Sequence, residues 1–280
     1  MSSRWLIVPR VSERVRDILI RIARHVGMVA AAVLAVAMGL VFWRQLADFR
    51  DPFVPLREDA AILLTTEWGR AWVLGAAGAV LAPILFLAAS STVSRGTASR
   101  ASWVLATAVA AGMCGFPAFT GHAAGSEGLR WLLIPADILH VMAAGSWIGG
   151  LLFVLVADAA ARRRSGDGEG VLADVVPRFS PVALVSAGLL VATGTLASFV
   201  HIESVGALFT STYGRLLLAK VTLVLVAMVL GAMNWRRLTP LLLQENVDAP
   251  IRRNAMRELV VAQLVIVVTA VLVRTSMSGG

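Results

Sequence analysis

The chain has 280 residues, of which 58% are hydrophobic and only 15% charged, where an ordinary soluble domain carries roughly 25% charged residues. One soluble core cannot hide that apolar surplus, so it belongs in lipid. The single cysteine, Cys114, excludes a disulfide framework and a zinc ribbon. The formal charge of +8 sits in short arginine clusters between apolar runs, which is the pattern of membrane topology and argues against a nucleic-acid partner.

Residues 1–24 read as a basic amphipathic segment. Val11, Val15, Ile18, Leu19 and Ile22 form one stripe with arginines elsewhere, as in a helix lying at the membrane interface. A cleaved signal peptide is the competing reading. The long charged lead-in and an apolar run beyond the usual 7 to 15 residues or so favour an uncleaved anchor.

Charge-free windows at about 26–43, 71–94, 101–121 and 179–202 each approach or exceed the roughly 20 residues that a spanning helix needs. A span at about 132–157 contains Asp137 and His140, and one at about 216–235 contains Lys220. The last, 259–273, is an apolar run of only 15 residues between Glu258 and Arg274 and must recruit its ends by snorkelling. The expected fold is therefore all-α, a polytopic transmembrane helix bundle of about seven spans, with residues 25–280 as one transmembrane domain. The stretch 162–170 is a polar linker with no room for a domain.

Orientation follows from the arginines, because cytoplasmic loops retain positive charge. With the N-terminus cytoplasmic, seventeen arginines fall inside and seven outside, the latter balanced by acids such as Glu58, Asp59, Glu67 and Glu203. A faint repeat also appears. Thr65-Thr66-Glu67-Trp68-Gly69-Arg70 opens span two and Ser211-Thr212-Tyr213-Gly214-Arg215 opens span six, both from outside. Spans one to three then correspond to five to seven, a parallel three-helix duplication with span four as the join. The alternative is chance recurrence of Gly-Arg at an interface.

Ionisable groups inside a membrane cost several kcal/mol when bare, so each asks for a partner or a function. Asp137 and His140 are three apart on one helical face, where the carboxylate can accept the second imidazole proton and fix the tautomer, as behind a metal-binding histidine. Met113 and Cys114 near the outer end of span three, His122 just beyond it and His201 at the outer end of span five lie at a similar level. Thiolate, thioether and imidazole together suit Cu(I). Core packing is the simpler reading for Met113 and Cys114, and interfacial placement competes with ligation for His122 and His201. His25, at the cytoplasmic start of span one, reads as a headgroup-level residue. Lys220 is expected to snorkel or to pair with Asp137 or Glu203. Trp147 lies two turns from His140 and lines the same cavity in this reading. Gly145, Gly149 and Gly150 give span four surfaces for close helix approach. No nucleotide-binding loop, metalloprotease pair or serine elbow occurs, so an enzymatic role is not expected.

Several stretches together resemble one family: Gly121-His122-Ala123-Ala124, the run from Asp137 through His140 and Trp147 to Leu151, Arg178-Phe179-Ser180, Tyr213-Gly214-Arg215 through Lys220, and Asn234-Trp235-Arg236-Arg237-Leu238. They are similar to the copper resistance D (CopD/PcoD) family of bacterial inner-membrane proteins. The likeness covers spans four to seven well and spans one to three loosely. The family is described as eight-spanning, sometimes with a fused periplasmic copper-binding domain, whereas this chain offers seven spans and no such domain. The resemblance implies a multi-pass protein of the bacterial plasma membrane that moves periplasmic copper toward the cytoplasm, with a separate CopC-like protein as donor. It carries His140 and His122 over as copper-handling histidines. Met113, Cys114 and His201 are added by depth alone. The alternatives are a b-type haem protein, with His140 facing His201 or His122 across one haem, and a copper sensor or assembly factor without transport.

Overall fold

The computed structural model describes residues 13–89, 97–120, 128–164, 170–201, 206–238, 248–273 and 275. Among them there is no strand. The elements are α1 (Glu13–Phe49), α2 (Leu56–Thr65), α3 (Glu67–Ala89), α4 (Thr97–Met113), α5 (Gly115–Thr120), α6 (Arg130–Arg164), α7 (Leu172–His201), α8 (Ala207–Thr210), α9 (Thr212–Met233), a π-helical turn (Asn234–Leu238) and α10 (Asp248–Leu272). Seven stretches among the described residues are long and apolar enough to cross a membrane: six lie essentially within α1, α3, α6, α7, α9 and α10, and one runs across α4 and α5. The protein is an all-α polytopic bundle. Helices suit this setting because lipid offers nothing to an unpaired backbone group. Exposed Val29, Val33, Val36 and Leu40 on α1, and Leu225 and Val229 on α9, are the lipid-facing counterpart of that composition.

Several element ends differ from the expectation. The amphipathic segment does not stand apart, since from Glu13 onward it is continuous with span one in a single 37-residue helix, about 55 Å long at 1.5 Å per residue. Within it Leu19 and Ile22 are buried while Arg21 is exposed. Span seven begins at Asp248, well before the expected 259, and span four runs on to Arg164. Both extensions carry a carboxylate, Glu258 or Asp158, into the helix interior. The segment before span two also folds, as α2, with Asp59 buried and reached by Arg50 Nε at 3.7 Å.

The chain divides inside α6 into two units, one covering Leu19–Met142 and the other running from Ala143 onward together with the start of the chain. In the first unit α3 packs on α2, α4 and α5. Trp72 donates its indole N–H to the Met38 carbonyl at 2.9 Å and stacks against Phe42, centroids 4.5 Å apart. Phe86 meets Trp103 edge-on at 5.8 Å and covers Gly27, where a Cβ would come within 2.8 Å of the ring. Pro117 lacks an N–H and cannot continue the helical ladder. The chain therefore turns at Cys114, whose amide bonds to Ala111 O at 3.1 Å, before α5 begins.

In the second unit α9 packs on α8 and, extensively, on α10. Gly150 of α6 lies beneath the Phe179 ring of α7, so closely that a side chain there would overlap it. Two stretches quoted for the family resemblance thus meet as glycine and phenylalanine. Asn254 of α10 donates to the Leu230 carbonyl of α9 at 2.8 Å.

The faint repeat has a physical basis. Thr66 precedes α3 and its hydroxyl accepts the Gly69 amide at 3.0 Å; Ser211 precedes α9 and its hydroxyl accepts the Gly214 amide at 2.9 Å. Both are N-caps that satisfy an orphan first-turn amide, and each follows a short helix, α2 or α8.

Candidate functional site

Asp137 and His140 lie one turn apart on α6, both half-buried, and both take part in polar or electrostatic interactions. The turn that carries Cys114 comes close to them: Gly115, the first residue of α5, approaches Ile138, with its Cβ position 3.9 Å from the Ile138 methyl. The contacts of the two sulfur residues are those of packing. Met113 fills the notch at Gly78, where a Cβ would lie 2.8 Å from its Cγ and 3.0 Å from its sulfur. Cys114 is half-buried, with Sγ 3.3 Å from the Ala110 carbonyl one turn back.

His122 lies outside the described residues. His201 is the last residue of α7, and its side chain lies outside them too. Among the described residues no three of His, Cys, Asp and Glu converge in a way that could hold a metal ion. Lys220 lies about two turns into α9, half-buried, and has interaction partners. His25 bonds to the Arg21 carbonyl through Nδ1 at 2.9 Å, a local helix contact.

Trp147 was expected beside His140, and the structure gives it a definite partner elsewhere. It stands at the midpoint of α6, about 26 Å from either end. Its indole Nε1 donates to Glu258 Oε1 at 2.8 Å, and both side chains are buried. The Glu258 carboxyl lies over Gly231 of α9, where a Cβ would come to 3.3 Å from Oε1 and 3.6 Å from Oε2. Any larger residue at 231 would press on it. Asn254, one turn before Glu258, ties the same face of α10 to α9.

A second buried carboxylate closes the arginine-rich end of the second unit. Asp158 is fully buried. Its Oδ2 takes Arg162 Nε at 2.9 Å and lies 3.5 Å from Arg252 Nη1, while Oδ1 accepts the Val171 amide at 3.1 Å. Arg162 also reaches Asp248 at 2.5 Å. Gly170 is required there, since a side chain would run into Asp158. This network joins the ends of α6, α7 and α10, and its pairing of each charge is what makes the burial tolerable.

Sequence reasoning treated Asp158 and Glu258 as span boundaries and so missed both. The signal for Glu258 was present: an apolar run of 259–273 is about five residues short of a span, so the helix had to continue through its own glutamate.

With this geometry in view, comparison with known proteins is informative. Residues 173–273 match the family described as Copper resistance protein D. This stretch is similar to the CopD family. It comprises nearly all of α7, together with α8, α9, the π-turn and α10, and so includes Glu258, Gly231 and the Ser211 cap. Among curated proteins, the copper transport protein CutJ of Bacillus subtilis (strain 168) is 33% identical over 173 residues, which is 62% of this chain and 31% of CutJ. The chain thus spans about a third of the length of that relative. No solved structure matches the chain.

Proposed function

We propose that this protein is a copper permease of the bacterial plasma membrane, moving periplasmic copper toward the cytoplasm and so contributing to copper homeostasis. The observation that carries this reading is the CopD match over residues 173–273, supported by the similarity to a protein named for copper transport. The arginine distribution supports the orientation, with the Asp137–His140 end of α6 facing out.

In this reading a periplasmic CopC-like protein delivers copper to outward-facing imidazoles, His122, His140 and His201, with Met113 and Cys114 as soft neighbours. Asp137 accepts the second ring proton of His140 and keeps its other nitrogen free for the metal. Copper is cargo here, held briefly and passed on. Few donors of strong affinity serve that purpose, because a carrier has to release what it binds. The small faces of α6 and α9 allow neighbouring helices to shift against each other without repacking bulky side chains.

The test is copper accumulation in cells expressing wild-type protein or His140→Ala at equal membrane levels. The variant is expected to accumulate far less copper; equal accumulation would remove the proposal. An absorption spectrum of the purified wild-type protein gives an independent check, since a Soret band would replace the copper reading with haem binding.

A further inference from the structure

Glu258 is the buried group that the copper pathway leaves unused. It lies within span seven one residue after the exposed Arg257, facing Gly231 of α9, which is about 8 Å along the helix from the Arg236 end of span six. It is 4% exposed, and the hydrogen bond from Trp147 occupies one of its two oxygens. No cationic side chain among the described residues pairs with it. On α9 the facing surface is Gly231 and neighbouring small or apolar positions, and Lys220 is eleven residues away, about 16 Å along the helix. On α6 the facing group is Trp147, and Asp158, the next ionisable residue toward the arginine-rich end, is held by Arg162 and Arg252. On α10 itself Arg253 and Arg257 are exposed, and Asn254 is engaged with Leu230. On the π-turn, Arg236 lies over the exposed Trp235 ring.

A buried carboxylate on a spanning helix without a counter-ion is costly, and the cost is relieved by a bound cation. Copper(I) calls for soft sulfur or nitrogen donors, and Trp147 offers only an N–H, which donates and does not ligate. A proton needs one oxygen and nothing else. We propose that Glu258, oriented by Trp147 against the Gly231 notch, is an intramembrane proton-binding site that couples proton movement to transport. Hydronium on the side of higher proton activity gives a proton to Oε2, which neutralises the carboxylate. The same O–H bond breaks when water on the other side takes the proton up. No other bond changes. The coupling half of this inference rests on the copper-permease reading, and the proton-binding half does not.

The experiment uses the purified full-length chain in phospholipid vesicles. Cu(I) uptake is measured with and without an imposed pH gradient for wild type and E258Q, alongside infrared spectra of both across a pH series. Wild-type uptake is expected to respond to the gradient and E258Q uptake to lose that response. A wild type indifferent to the gradient, or an E258Q that responds like wild type, overturns the coupling. If neither protein moves copper, the permease reading fails and the infrared series alone decides the site. A carboxylic carbonyl stretch that titrates in wild type and is missing from E258Q supports it, and identical spectra at every pH overturn it. Should E258Q not fold, W147F takes its place. That variant keeps the carboxyl but removes its donor, so the midpoint of the titrating band must move; an unmoved midpoint overturns the proposal.

Discussion

Removing the Trp147–Glu258 hydrogen bond from each side gives the sharpest check on the second unit. W147F keeps an aromatic ring and deletes the N–H, leaving a buried carboxyl without its donor; E258L keeps the bulk and deletes the acceptor, leaving a buried indole N–H. Each single change is expected to cost about 1–3 kcal/mol, the penalty for orphaning a buried polar group. The double variant leaves neither group stranded, so its cost falls below the sum. Hydrogen bonds measured by double-mutant cycles within bilayers average about 0.6 kcal/mol and reach about 1.7. This pair should sit at the upper end because its partner is a carboxyl at 2.8 Å. A coupling of about 1–1.7 kcal/mol is therefore expected, close to a tenfold change in the unfolding equilibrium. Reversible unfolding in mixed detergent–lipid micelles measures it for wild type, both singles and the double. Additivity within about 0.5 kcal/mol, the scatter of independent sites, would refute the contact.

Other outcomes follow from the same contacts. D158N strips the Arg162 and Arg252 guanidiniums of a shared, fully buried carboxylate; a loss of about 3–5 kcal/mol is expected in the same unfolding assay, whereas D248N, at a partly exposed partner, should cost under about 1 kcal/mol. G150A drives a methyl into the Phe179 ring and is expected to destabilise by about 1–3 kcal/mol, with F179L restoring part of the loss when the two are combined. T66A and S211A each remove an N-cap hydroxyl and should cost about 1 kcal/mol apiece, with faster amide exchange confined to the first turn of α3 or α9.

The number and order of the spans were readable because hydropathy over about 20 residues is the membrane's own criterion. The ends were not, and the reason is the same at both misplaced boundaries. A hydropathy window takes a carboxylate as an exit into water, but Asp158 stays inside because two arginines meet it, and Glu258 because Trp147 does. Arg162 stands one turn on along the same helix, a spacing the sequence carries, whereas Arg252 and Trp147 come from other helices and leave no periodic trace. Helix α2 was missed for a different reason: its apolar stretch is too short to register as a span, and Asp59 is buried through Arg50 across a turn. The spacing of Asp137 and His140 was legible because it is local to one helix. The pairing of Gly150 with Phe179, and of Trp147 with Glu258, was not, although the first pair and Trp147 were already marked by the family resemblance.

Copper flux through the isolated protein tests the account most directly. Vesicles containing wild-type chain should take up Cu(I) in a saturable manner that His140→Ala largely abolishes at equal protein content. Uptake no greater than in protein-free vesicles would contradict it.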